Sequence, residues 1–113
     1  MNKEYKIFEG NTLQEGMDKL LREGFKPLNL KETWDYKQKN KLIQWFDTGT
    51  VFIKGEIREM TRKEMGVLKE LYDKGGRALL LNNLDNDSYA NGLNYLNDYA
   101  RFVGVKNKKS EKK

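Results

Sequence analysis

The sequence predicts an α+β domain: two helices packed on a mixed sheet in a split βαβ arrangement, with a central hairpin and a third, C-terminal helix. Three observations carry that expectation. A strand-like run, a capped helix, a glycine stop and another strand-like run occur in this order once in each half of the chain. The middle holds two apolar runs, 42–46 and 50–54, on either side of Asp47, Thr48 and Gly49. Beyond residue 88, apolar residues recur at helical spacing.

The elements follow in order. Residues 4–9 set Tyr5 and Ile7 among polar neighbours, which is the alternation of a short strand. Thr12 and Glu15 form a capping-box pattern, with Leu13, Met17, Leu20 and Leu21 at helical spacing behind them. Gly24 supplies a left-handed stop, and Pro27 forbids continuation. Residues 28–30 read as a strand and 31–38 as one or two helical turns exposing Lys31, Lys37 and Lys39. The runs 42–46 and 50–54 pair around a turn at 47–49, and 56–60 extends the second strand past a bulge at Gly55.

The first layout then recurs. Thr61 and Glu64 repeat the capping box of a helix over 62–74, whose buried stripe is Met65, Leu68, Leu71 and Tyr72. Gly75 and Gly76 stop it, and the wholly apolar run 77–81 is that of a central strand. Two such units give a βαββαβ plan of ferredoxin-like type. Tyr89, Leu93, Leu96, Ala100 and Val103 then fall on one helical stripe, capped at Asp87 or Ser88 and stopped at Gly104. A competing reading makes 100–105 an edge strand. Asn91, Gly92, Asn94 and Asn97 oppose the helix, since each is a poor helix former.

Composition bounds the function. At 113 residues the chain fits one domain, able to bury roughly 65% of its unfolded surface. No apolar run approaches the ~20 residues of a membrane span, and the first residues lack the apolar core of a signal peptide. The chain has no cysteine and no histidine. It therefore has no disulfide framework, no thiol nucleophile and no imidazole for proton transfer near neutral pH, and a cytoplasmic location is the default expectation. The net charge of +5 is concentrated at one end: residues 106–113 carry five lysines and one glutamate, leaving 1–105 at about +1. The expected organisation is a globular domain over 1–105 and a disordered basic tail over 106–113.

Residues 82–99 are the most distinctive stretch, with nine Asn or Asp among eighteen. As a calcium loop starting at Asp85 they place Ala90 where glycine is needed and Leu96 where the bidentate glutamate is needed, so an EF-hand is excluded. An irregular oxygen site at Asp85 and Asp87 stays open, while no metal or cofactor is expected. On the predicted helix Asn91, Asn94, Asp98 and Arg101 line the polar face, a row able to donate and accept hydrogen bonds toward a partner. A second candidate is the basic, aromatic-interleaved stretch 31–41, with Lys31, Trp34, Tyr36 and Lys37 as binding residues beside Lys39 and Lys41. Gly75 and Gly76 follow a helix instead of opening one, the wrong end for anion capture.

Phe46, Asp47, Thr48, Gly49 and Thr50 together resemble the active-site motif of aspartic proteases, in which an apolar strand delivers a D-T-G turn. Gly76 and Arg77, with Leu79 and Leu80, resemble that family's later Gly-Arg element. The resemblance implies a dimer pairing two Asp47 carboxylates. Helical patterns over 12–24 and 62–74 stand where that family has strands, and D-T-G is turn chemistry in its own right, so a hairpin turn is the reading carried forward.

The functional expectation is a small non-enzymatic binding or interaction module, with a protein or a second copy of the chain as partner. Its abundance of Lys and Asn gives the impression of an accessory protein of a phage or mobile element. The alternative is nucleic-acid binding through the basic tail and the 31–41 patch. A dimeric D-T-G hydrolase is the remote third reading.

Overall fold

The computed structural model describes residues 2–42, 44–81, 90–93 and 95–107, with 90–93 described by backbone alone. Along them run β1 (Lys3–Gly10), α1 (Leu13–Arg22), β2 (Lys26–Pro27), α2 (Leu30–Asn40), β3 (Phe46–Ile53), β4 (Glu56–Glu59), α3 (Arg62–Gly66), α4 (Leu68–Asp73), β5 (Arg77–Leu81), β6 (Ala90–Leu93) and β7 (Ala100–Asn107). The α+β class is as the sequence predicts, and the sheet is mixed, with main order β1-β7-β3-β5-β6.

The repeated layout becomes two split βαβ units. Gly104 and Val105 of β7 pair with Lys6 and Tyr5 on one edge and with Pro27 and Lys26 on the other. Thus β1 and β2, joined by α1, run parallel with β7 between them. Likewise Val51 of β3 pairs with Arg58 of β4 and Ala78 of β5, so β4 and β5, joined by α3 and α4, flank β3. The two units do not interlock in the ferredoxin-like manner, where each supplies the strand that splits the other. Here the inserted strands are β7 and β3, which meet in parallel at Asp47 and Phe102. Beyond that point the sheet forks, with β2 added to β7 and β4 added to β3.

Local chemistry fixes the helices. Thr12 Oγ1 accepts from Glu15 N at 3.1 Å at the start of α1, and Gly24 takes the predicted left-handed stop at φ +86°. Asn29 and Glu32 form a full capping box on α2, a cap that the strand reading of 28–30 does not anticipate. The strand at that point is β2, and Leu28 only continues it with one bond from its N–H to Val103 O. The helix expected over 62–74 breaks at Val67. Gln14 of α1 fills the break: its Oε1 accepts from Leu68 N at 2.6 Å and its Nε2 donates to Met65 O at 3.1 Å.

Helices lie on both faces of the sheet. Leu13, Met17 and Leu20 of α1 pack with Met65, Leu68 and Leu71 on Phe8, Val51, Ala78, Ala100 and Phe102. A smaller cluster, Leu28, Phe46, Val103 and Val105 with half-buried Tyr36 and Leu42, lies on the α2 side. Among the described residues no helix is long and apolar enough to cross a membrane.

Four expectations are corrected. Residues 47–49 are not a turn: β3 runs unbroken from Phe46 to Ile53, and the hairpin turn falls at Lys54 and Gly55, both at positive φ (52° and 79°), as a two-residue hairpin requires. Among the described residues strands stand where the C-terminal helix is expected: Ala90–Leu93 pairs with β5 and Ala100–Asn107 is a strand. The strand in 100–105 lies inside the sheet and not at its edge, between β1 and β2. Finally, Lys106 and Asn107 belong to β7, paired with Glu4 and Lys3, so the domain takes in the first two residues of the expected tail.

The D-T-G-T residues have structural work at the fork. Asp47 is 1% exposed, and its Oδ2 accepts from Arg101 N at 3.0 Å. Thr48 Oγ1 donates to Leu79 O at 3.0 Å across the register shift between β3 and β5. A Cβ on Gly49 would stand 2.9 Å from Pro27 Cγ, so only glycine lets β2 approach. Thr50 Oγ1 accepts from Leu30 N at 2.8 Å, and Gly49 N donates to Leu28 O at 2.8 Å. A carboxylate enclosed in a central strand is a poor fit to the aspartic-protease motif, which presents its aspartate at an accessible turn.

Candidate binding cleft

The α2 face of the sheet carries an open cleft of about 590 Å³, within the usual ~300–1,000 Å³ of ligand sites. Its geometry follows from two periodicities. Along β1 the period-two pleat sends Lys3 and Tyr5 to this face, while Phe8 goes to the opposite core. Register then aligns Tyr5, Val105 and Lys26 in one row across three strands. Along α2, Glu32, Asp35, Tyr36, Lys39 and Asn40 are spaced three and four residues apart and form the facing wall. Thr33 and Lys37 lie on another side of the helix and are buried, where α2 packs on β3 and β5.

The floor is apolar, made by buried Leu28 and Val105. The Tyr5 and Tyr36 rings meet across the cleft at 5.2 Å between centroids, tilted by 32°. The charges around them are unequally committed. Glu32 Oε1 accepts from Asn29 N at 3.0 Å in the capping box, and Asp35 pairs with Lys31 at 3.4 Å. Lys3, Lys26 and Lys39 are exposed and have no ion pair or hydrogen-bond acceptor among the described residues. Among the described residues the cleft therefore presents three uncommitted ammonium groups and two carboxylates around an aromatic and aliphatic interior.

The predicted site residues fare differently. Tyr36 stands in the cleft wall. Lys31 is exposed on the first turn of α2 and holds Asp35. Trp34 is half-buried, its indole N–H enclosed without a hydrogen-bond partner among the described residues. Lys37, expected to be exposed, is buried at 3% exposure, and that burial lowers its amine to about 8. It belongs to the packing of α2, not to a basic surface.

The amide row is not assembled. Asn91 lies on β6, Asp98 in the exposed turn before β7, and Arg101 on β7, so no helix face joins them. Asn94 lies outside the described residues, as do Asp85 and Asp87 of the irregular oxygen site. Arg101 is held at the sheet end: its guanidinium lies 4.7 Å from the Trp45 ring, its Nε is 3.4 Å from Glu9 Oε2, and its backbone N–H is taken by Asp47. Tyr99 donates to the other Glu9 oxygen, a bond that raises its own pKa above the ordinary phenol value. Among the described residues no group of three or more carboxylate-type ligands is placed to hold a metal ion.

Sequence reasoning missed Lys3, Tyr5 and Lys26. The alternation of β1 was the available signal, since it puts Lys3, Tyr5 and Ile7 on one face and leaves Tyr5 and Ile7 44% and 40% exposed. No known protein family, curated protein or solved structure matches the chain.

Proposed function

We propose that the chain is a small non-enzymatic binding module that takes an anionic ligand in the cleft between α2 and the β1–β7–β2 face. The observation that carries this reading is the set of three lysines, Lys3, Lys26 and Lys39, that face one cavity and have no ion pair among the described residues. A binding surface needs polar groups left unpaired in the free protein; among the described residues these three ammonium groups meet that condition, and they outnumber the two carboxylates of the lining, Glu32 and Asp35. The apolar floor excludes water from one side of a bound group and so strengthens its charge interactions. Titration with heparin, a sulfated polyanion, tests the reading. Wild type binds at low salt, and replacement of Lys3, Lys26 and Lys39 together by Gln abolishes most of that binding without altering the fold. Equal heparin affinity in the triple variant would contradict it.

A further inference from the structure

We infer that the ligand of this cleft is single-stranded nucleic acid, with Tyr5 and Tyr36 receiving bases and Lys3, Lys26 and Lys39 receiving phosphates. The inference rests on the anionic-ligand reading and adds one independent observation, the aromatic pair. Two adjoining tyrosine rings, one of them 44% exposed, form a stacking surface in a cleft lined by three lysines and two carboxylates, Glu32 and Asp35. Stacking on aromatic side chains together with a charged groove is how proteins hold single strands without reading sequence. A peptide of acidic residues alone would satisfy the lysines but has no aromatic faces for the tyrosines. A duplex would offer phosphates but keeps its base faces stacked within, and a concave cleft cannot enter a groove as a protruding helix does.

Fluorescence anisotropy of the full chain with labelled oligonucleotides of about twelve nucleotides, single-stranded and duplex, tests the inference. Single strands bind at least about fivefold tighter than the duplex of the same sequence, and Tyr5→Ala removes at least about fivefold of that affinity. Tyr5→Phe keeps the ring and retains binding. Tyr5 is exposed on a strand surface, so the fold survives both changes, as thermal melting will verify. Between about 50 and about 200 mM salt the log–log slope falls by about 0.7 for each of Lys3, Lys26 and Lys39 changed to Gln.

A duplex bound as tightly as a single strand, unchanged affinity in Tyr5→Ala, or equal binding of polyglutamate overturns the inference. If heparin binding is still lost in the triple lysine variant, the anionic-ligand reading survives that result. If neither heparin nor single strands respond to the lysine changes, both fall together.

Discussion

Gly49 shows how closely single residues are matched to the fork in the sheet. Its missing side chain admits Pro27, and its N–H and carbonyl oxygen bind Leu28 and Met60. Gly49→Ala should lower stability by about 1–3 kcal/mol through overpacking against β2, measured by urea unfolding. Lys37 supplies a second residue-scale test. Its folded-state amine sits near 8, below the ordinary 10.5, because burial disfavours the charged form. A group depressed on folding contributes stability above its unfolded value and loses it as pH falls through the folded one. Wild type should therefore gain stability relative to Lys37→Met as pH rises from about 8 to about 10, read from denaturation midpoints at each pH. At this scale the sequence was legible for caps and stops, since Thr12, Thr61 and Gly24 act on neighbours a few residues away. It misled at Lys37, because charge alone does not say which side of a helix faces a sheet. It also misled at Asp47, because turn-forming residues and residues that satisfy a forked sheet share the same polar chemistry.

At the scale of elements, one interaction couples the first helix to the second unit. Gln14 spans the break between α3 and α4 with two hydrogen bonds, partly buried. Gln14→Ala would leave Leu68 N–H without that acceptor and should cost about 1–3 kcal/mol, with faster amide exchange over 65–71 than elsewhere in the domain. The two split units were visible as a repeated strand, helix, stop and strand because each part is written in local signals. The last quarter of the chain was misread for a definable reason. In β7 Phe102 faces one core while Val103 and Val105 face the other, so the strand is apolar on both sides. A run without alternation carries no period of its own, and helical spacing can be drawn through it. The asparagines that disfavoured the helix were the better guide there.

For the molecule as a whole, the first and last strands pair along their full length, Lys3 with Asn107 through Gly10 with Ala100. That pairing builds the cleft from segments near residues 3–5, 26–28, 32–40 and 105, far apart in sequence. Half of the site was legible, since the basic, aromatic α2 stretch stood out and Tyr36 and Lys39 are in its wall. The half on β1 and β2 was not, because register between chain ends is set by packing and not by any local pattern. We propose that ligand enters this cleft and not the sheet end around Trp45, Tyr99 and Arg101. Amide chemical-shift mapping on the full chain during titration with a single-stranded oligonucleotide tests it most directly. Ligand in the cleft gives saturable shifts concentrated at 3–5, 26–28, 32–40 and 105. Shifts concentrated at 95–101 with the cleft amides unmoved would contradict it.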